Sequence, residues 1–210
     1  MLQKLFRRLE HVDGYGEPFI RFTLGDLGAS RFGLTEDEIL DLISDGPVLR
    51  DFRDRNPESP DINRIPWIRW SRLLLDIEPY LSERSSHGMN VLSFYHSQFR
   101  RAVEIEFLGG EQPHSQHQDM ASAQPGSTHE SNSVEQLRSR HREMAAYFQK
   151  KGFLSGRAID ELVYHQTEAE DWPAVERTLT SVSFLFIKAD TVGVFALLQD
   201  FGCSSANPLK

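Results

Sequence analysis

One stretch of the sequence, from Gly109 to Ser133, contains no aromatic residue and no valine, isoleucine or leucine. A segment of this composition cannot bury enough apolar surface to offset the entropy that is lost when it becomes ordered. We therefore predict a disordered linker over residues 109–133, which divides the 210-residue chain into two small domains over residues 1–108 and 134–210. Each of these domains is long enough to form a modest hydrophobic core.

The first domain opens with helices. Apolar residues recur every three or four positions over residues 2–9 and 19–27, which predicts two short helices. Thr35 and Glu38 have the spacing of a capping box, in which the threonine hydroxyl accepts from a first-turn amide and the glutamate reaches back. A third helix should begin there. Residues 50–64 are rich in charge and contain two prolines, so we predict a polar loop after that helix.

A fourth helix and a hairpin complete the first domain. Pro66 suits a first helical turn, and an apolar stripe begins with Trp67 and Trp70. We expect this helix to be the best buried one, with both tryptophans in the core. Two runs typical of strands flank a turn at His87, and an amphipathic helix follows over residues 99–107. This order of helices, hairpin and closing helix predicts a winged-helix module.

The second domain consists of short amphipathic segments. Apolar positions at helical spacing recur from Leu137 to Leu198 and are interrupted by glycines and a proline. Such segments suit a stacked α-helical arm, and their combined length predicts only two helix pairs. An arm of this kind needs neighbours to cover its end faces, so we expect it to be incomplete and the chain to be part of a longer protein. The fold class predicted for the whole chain is mainly α with a small β-hairpin.

Charge and cysteine content restrict the partners and the compartment. The chain has 31 acidic and 23 basic residues, so its net charge of −8 opposes the phosphate backbone of nucleic acids. Cys203, the single cysteine, cannot form an internal disulfide, and no run of about 18 apolar residues occurs. These features predict a soluble cytoplasmic protein that does not associate with membranes, and they disfavour nucleic acid as a partner.

DNA binding is the alternative that a winged helix raises. Arg64, Arg69 and Arg72 lie at the start of the predicted fourth helix, which is the position of a recognition helix, and Arg84 lies near the hairpin. Acidic side chains on the third and fourth helices would repel phosphate. These acidic residues are Glu36, Asp37, Glu38, Asp41, Asp76 and Glu78.

Seven strings of the sequence carry a resemblance to known proteins. In chain order they are RLEHVDGYGEPFI, ASRFGLTEDEILDLIS, RIPWIRWSRLLLDIEPYLSER, VLSFYHSQFRRAVEIEFL, HREMAAYF, ELVYHQTEAEDWPAVERTL and FLFIKADTVGVFALLQDF. Their order and spacing together resemble the region after the nucleotide-binding core in NACHT-type STAND signal-transduction ATPases, especially the large ones that continue into WD or other repeats. In that family this region is a winged-helix domain and a helical arm, which clamp the ATPase core in its resting ADP state.

The resemblance implies a regulatory role. By resemblance His96 would be the nucleotide sensor, because related switch ATPases carry at this place a histidine that touches bound ADP. The alternative is a capping or partly buried histidine without a ligand. In plant resistance proteins an acidic residue follows that histidine, whereas Ser97 follows it here, so the contacts would differ in detail. The implied partners are a nucleotide-binding NACHT-type core and repeat domains, in cis or in trans, and ADP or ATP would bind only through that core.

The sequence lacks a phosphate cradle. No GxxxxGK[ST] motif occurs, and the Gly-Tyr-Gly string at Gly14 lacks the required lysine. Residues 73–78 resemble a magnesium-binding strand superficially, but their helical periodicity predicts a buried helix. His114, His117 and His129 have neither cysteine partners nor a tight pair spacing, so we predict no metal site, and we predict no catalytic residue. The expected function is a non-enzymatic regulatory module, and the alternative is a stand-alone protein–protein interaction module.

Overall fold

A computed structural model of the protein describes residues 2–12, 14–58, 61–109 and 128–204. The fold is mainly α with one small hairpin, as predicted. In chain order the elements are α1 (Leu2–Arg7), a π-helical turn (Arg8–Val12), α2 (Glu17–Ala29), α3 (Glu36–Ile43), α4 (Pro47–Arg55), α5 (Trp67–Ile77), a 3-10 turn (Glu78–Tyr80), β1 (Leu81–Ser86), β2 (Met89–Phe94), α6 (Ser97–Phe107), α7 (Thr128–Lys151), α8 (Gly156–Glu168), α9 (Trp172–Leu179), α10 (Val182–Thr191) and α11 (Val194–Ser204).

The predicted hairpin is confirmed. Strands β1 and β2 are antiparallel, and Leu81 lies opposite Phe94 at their open end. His87 and Gly88 form the turn with positive φ angles of 51° and 75°. An isolated bridge between Leu34 and Leu92 gives β2 a second neighbour. The hairpin is therefore tied to the segment that leads into α3.

The capping box at the start of α3 is also confirmed. The Thr35 hydroxyl accepts from the Glu38 amide at 3.1 Å, and the Glu38 carboxylate accepts from the Thr35 amide at 2.9 Å. Two amides that a helix start leaves without partners are thus satisfied reciprocally. This local signal places the first turn of α3 correctly.

The polar loop predicted over residues 50–64 is wrong in its first part, because helix α4 extends to Arg55. Pro47 occupies the first turn of α4, where its missing N–H costs nothing. Val48 and Leu49 of α4 are buried in the main core, although the other residues of this helix include five charged ones. Tertiary packing therefore stabilises a helix that composition alone disfavours.

Helix α5 differs from expectation in two ways. Its buried face consists of Trp70, Leu73 and Ile77, whereas Trp67 is 59% exposed and does not belong to the core. Helices α2 and α8 have nine buried residues each, against three in α5. The face that packs therefore includes Trp70 and Ile77 of the predicted stripe but not Trp67. Residues 73–77 are helical, as predicted.

The arm contains more helices than predicted. Five helices, α7 to α11, occupy the described residues 128–204, where two helix pairs were expected. Several are only eight to eleven residues long, and Gly152 and Gly193 separate neighbours with φ angles of 76° and 107°. Helix α7 begins at Thr128, inside the predicted linker, and residues 110–127 lie outside the described residues.

The arm packs directly on the first half of the chain. The main hydrophobic cluster combines residues of α1 to α6 with Met144, Phe148 and Leu162 of the arm. A smaller cluster around Val163 and Phe184 joins α8, α9 and α10. The core therefore continues across the predicted domain boundary. Within the described residues, no helix is long and apolar enough to cross a bilayer.

Candidate functional site

His96 lies where the sequence predicts it, between β2 and α6. It is the N-cap residue of α6, and its carbonyl accepts from the amides of Phe99 and Arg100 at 3.0 and 3.2 Å. Its imidazole makes no capping hydrogen bond and is exposed beside the Tyr95 ring, with 4.4 Å between the ring centroids. The capping role is thus performed by the backbone alone. The nucleotide-sensing role of His96 stays a prediction.

The four arginines weighed for DNA binding are in different situations. Arg64 pairs with Asp37 and Asp41, each at 3.0 Å. The Arg69 guanidinium donates to the Tyr15 carbonyl at 2.9 Å, and burial together with nearby Arg55 lowers its pKa. The side chains of Arg72 and Arg84 belong to exposed residues. Two of the four cations are therefore engaged in contacts within the chain.

The most distinctive polar arrangement in the described residues surrounds Arg157 at the start of α8. Its side chain is 1% exposed. The guanidinium forms a fork on Glu38, with Nε 3.1 Å from Oε1 and Nη2 3.0 Å from Oε2. It also donates to Glu161 at 3.0 Å and to the Gly33 carbonyl at 2.7 Å. Burial alone would lower the pKa of Arg157, but the two glutamates raise it.

Glu161 is the second fully buried charge of this cluster. Its carboxylate accepts from the backbone amides of Arg31 and Phe32 at 3.2 and 3.3 Å. Burial by itself would raise the pKa of Glu161, yet the charges and hydrogen bonds of His165 and Arg157 lower it overall. An ionised Glu161 therefore holds the segment between α2 and α3.

Two buried histidines extend the cluster into α7. His165 Nε2 lies 3.3 Å from Glu161 Oε2, and the two Nδ1 atoms of His165 and His141 lie 2.8 Å apart. One histidine must donate and the other accept at that contact. Burial, with help from His165 and Arg140, lowers the pKa of His141 to about 3, so His141 is neutral at physiological pH. A neutral His141 suits the acceptor role towards His165.

A second ionic cluster surrounds Asp160 of α8. Asp160 contacts the hairpin through His87, at 2.7 Å, and contacts α10 through Lys188, at 3.3 Å. Lys188 is fully buried and also lies 2.8 Å from Asp200 of α11. Burial raises the pKa of Asp200, and Lys188 and Arg31 oppose that rise. Asp160 thus connects the hairpin turn to the end of the arm.

A cleft of about 920 Å³ lies between α7 and the α3–α4 region. Asp41, which lines it, accepts from Tyr147 at 3.0 Å and pairs with Arg64 at 3.0 Å and with Lys151 at 3.1 Å. The residues that line the cleft include four acidic ones, Asp26, Asp41, Asp45 and Glu143, and four basic ones, Arg64, Arg140, Lys150 and Lys151. Their formal charges cancel, so the cleft has no large excess charge that would select an anion or a cation.

The outer sides of α10 and α11 are apolar and exposed. The exposed fractions of Phe186 and Phe195 are 73% and 86%. With about 200 Å² of surface per aromatic side chain, these two residues together expose about 300 Å² to solvent. Val182, Val194 and Leu198 on the same two helices are also exposed, by 58% or more. We call these five residues the α10–α11 face.

Sequence reasoning missed the Arg157 cluster. The sequence pattern points to Glu38 as a capping residue and as part of an acidic surface, and it does not indicate a role for Arg157 or Glu161. A signal was present, because Arg157, Glu161 and His165 recur at four-residue intervals and form a polar stripe beside the apolar stripe of α8. The long-range partners on α3 and in the preceding segment could not be identified from that stripe.

Comparison with known proteins adds two relatives. The human NACHT domain- and WD repeat-containing protein 1 is 34% identical over 116 residues, which is 54% of this chain. The mouse protein of the same name is 32% identical over 112 residues, or 52% of the chain. The match spans 7% of the length of each relative.

No family model matches the chain. No solved structure matches it significantly.

His114 and His117 lie outside the described residues, as does the side chain of His129. Within the described residues, no group of three or more histidine, cysteine, aspartate or glutamate side chains is placed to hold a metal ion.

Proposed function

We propose that this chain is a non-catalytic regulatory module of a NACHT-type STAND signalling ATPase. One observation carries the proposal. About half of this chain is similar in sequence to proteins named for a NACHT domain and WD repeats, yet the chain has no phosphate-binding motif of its own. Such a region acts on a nucleotide-binding core that another part of the protein, or another chain, provides. ADP or ATP would therefore bind only through that core.

The order of elements supports a winged-helix assignment for residues 2–109. Helices precede the β1–β2 hairpin, and α6 closes the module after it. The isolated bridge between Leu34 and Leu92 ties the hairpin to the segment before α3, as a wing is tied to the helices that precede it. In the proposal this module packs on the nucleotide-binding core, and the arm over residues 128–204 leads towards the repeats.

The surroundings of His96 support its role as the contact to ADP. The residue is exposed at the start of an eleven-residue helix, where backbone amides and the helix dipole favour an anion. An imidazole N–H at this position can donate to a phosphate oxygen of a nucleotide held by the core. Loss of that hydrogen bond would weaken the closed state relative to the open one.

The α10–α11 face supports the coupling role of the arm. Stacked helical arms bury their apolar end faces against the next unit, and the α10–α11 face consists of exposed apolar residues on the last two described helices. In the proposal, C-terminal repeat domains cover it and transmit their state through the arm. A cytoplasmic location belongs to the same proposal and rests on the sequence composition.

The experiment uses the intact multidomain protein that contains this region. We expect His96→Ala to lower the amount of co-purified ADP and to raise basal signalling, because the closed state loses a nucleotide contact. ADP content would be measured by chromatography after denaturing the protein, together with the ADP dissociation rate.

The control is His11→Ala, which removes another exposed imidazole, 71% exposed, at the π-helical turn. This substitution should leave the ADP content unchanged. Unaltered ADP content and dissociation rate in His96→Ala would refute the sensing role. They would favour an interaction module that has no nucleotide contact.

A further inference from the structure

The cleft between α7 and the α3–α4 region has a buried carboxyl group in its wall. Asp26 of α2 lines the cleft and is 2% exposed. Its Oδ1 lies 3.3 Å from Arg140 Nη1, and within the described residues its Oδ2 has no hydrogen-bond or ionic partner. Buried polar atoms are normally paired, and each carboxylate oxygen can accept hydrogen bonds. Asp26 therefore offers an unused acceptor to a group that enters the cleft.

The formal charges of the whole cleft cancel, but those around Asp26 do not. Arg140 Nη1 contacts Asp26 and also donates to Glu143 at 3.1 Å, so one guanidinium serves two carboxylates. The Arg140 guanidinium carbon lies 3.9 Å from the centroid of the Phe22 ring, which holds it in place. Two carboxylates and one guanidinium give a net formal charge of −1. We call Asp26, Arg140 and Glu143 the Asp26 subsite, and one further cation would neutralise it.

The cleft extends well beyond this subsite. Arg140 and Lys150 both line it from α7, and a rise of about 1.5 Å per residue places them about 15 Å apart along that helix. Leu42 and Pro47 add apolar surface on the α3–α4 side. A single amine would fill only a small part of this space. An extended peptide, at about 3.3 Å per residue, would span the same length with about five residues.

We propose that the cleft binds an extended segment of a partner protein and that the Asp26 subsite receives a lysine or arginine side chain of that segment. An ammonium or guanidinium group has several N–H donors, so it can contact Asp26 and Glu143 at once. Hydrogen bonds between charged groups are stronger than those between neutral groups. The cleft is formed by α2, α3, α4 and α7, whereas His96 begins α6, so this site is independent of the proposed nucleotide contact.

Isothermal titration calorimetry on the full chain tests the site with three probes. The first is a capped pentapeptide with a lysine between alanines, the second has glutamine in place of the lysine, and the third is n-butylammonium. We expect the lysine peptide to bind at least about tenfold more tightly than the glutamine peptide, which lacks one charged hydrogen bond. It should also bind more tightly than n-butylammonium, which leaves most of the cleft unfilled.

Three results with these probes would overturn the proposal. The first is that the lysine peptide does not bind at millimolar concentration. The second is that the glutamine peptide binds as tightly, which would mean that the cleft does not select a cation. The third is that n-butylammonium binds as tightly, which would indicate a site for a free amine instead of a peptide.

Substitutions locate the bound cation. Asp26→Asn keeps the side-chain shape but removes the charge, and Asp45→Asn is the matched control, because Asp45 is an exposed carboxylate that lines the same cleft. We expect Asp26→Asn to weaken the lysine peptide by at least about tenfold and Asp45→Asn to weaken it by less than about twofold. Equal weakening by both would contradict a specific subsite.

If Asp26→Asn does not fold, Glu143→Gln serves as the second variant, since the Glu143 side chain is 54% exposed. We expect it to weaken the lysine peptide by about threefold or more, because the subsite loses one of its two carboxylates. Unchanged affinity would show that Glu143 does not contact the bound cation, which would also contradict the proposal.

The pH dependence of binding provides an independent measurement. Burial raises the pKa of Asp26 to about 7, and the charged groups that act on it are Arg140 and Glu143. A bound cation must therefore displace a proton from Asp26 at pH 6 but not at pH 8, whereas the lysine of the peptide stays charged at both. We expect the peptide to bind about tenfold more tightly at pH 8 than at pH 6. Equal affinity at the two pH values would show that the cation does not bind at Asp26.

Discussion

Asp26 on α2 offers a quantitative test of how the arm is joined to the first half. It is 2% exposed, and its carboxylate lies 3.3 Å from Arg140 of α7. Burial raises the pKa of Asp26 from 3.8 to about 7, Arg140 opposes the rise, and Glu143 adds to it. The ion pair therefore compensates only part of the cost of burying this charge.

The sign of the pH dependence follows from that shift. Between about pH 4 and pH 7 the folded protein keeps a proton on Asp26 that the unfolded chain has already released. The free energy of unfolding therefore falls as pH rises through this window, by about 1.4 kcal/mol per unit. A pKa of about 7 corresponds to a total of about 4 kcal/mol, of which about 2.5 kcal/mol is lost between about pH 5 and pH 8.

Asp26→Asn removes the titration while keeping the shape of the side chain. Urea unfolding of the parent chain and this variant would be measured at several values from about pH 5 to pH 8. We expect the variant's stability relative to the parent to rise by about 2.5 kcal/mol across that range. Asp190→Asn, at an exposed site on α10, is the control and should show a nearly constant difference.

Two results would refute this reasoning. A difference that stays within about 0.5 kcal/mol at every pH would mean that Asp26 titrates alike in the folded and unfolded chains. A difference that falls with rising pH would mean that Arg140 stabilises the carboxylate by more than burial destabilises it. The pKa of Asp26 would then lie below its usual value.

Three further predictions can be checked by thermal or urea unfolding of the full chain. Gly46→Ala should lower the free energy of unfolding by about 1 kcal/mol, because the φ of +102° at this position disfavours a side chain. Gly33→Ala should lower it by a further 1–3 kcal/mol or so, because a Cβ there would overlap β2. Equal losses in the two variants would refute the overlap. Thr35→Ala should cost about 1 kcal/mol through the lost cap, and a neutral effect would contradict the capping box. Lys188→Met should lower the free energy of unfolding by about 3–5 kcal/mol, because it leaves buried carboxylates without their cation. A gain in stability would show that the ionic cluster destabilises the fold.

Local signals in the sequence were sufficient for several elements. The capping box located the start of α3, because both of its hydrogen bonds lie within four residues. The strand-prone runs around His87 located the hairpin, and the apolar stripe over residues 99–107 located α6. These features depend on neighbours along the chain. Their physical cause is therefore visible in the sequence.

The buried face of a helix was harder to predict when its stripe was ambiguous. Trp67 and Trp70 both fit a helical stripe, but only Trp70 packs in the core. Helix α4 was missed because its apolar contribution is small, and Val48 and Leu49 are buried only by elements distant in sequence. Contacts with elements that are distant in sequence decide which face of a helix packs and whether a charged segment becomes helical.

The sequence by itself determined the mainly helical class, the hairpin, the start of α3 and the absence of a phosphate-binding motif. Only the tertiary structure decided that the two halves share one core and that Arg157 joins them through Glu38, 119 positions away. The reason is physical. Hydrogen-bond spacing within a helix or turn is written in adjacent residues, whereas a buried ion pair exists only where packing excludes water and brings two distant charges together.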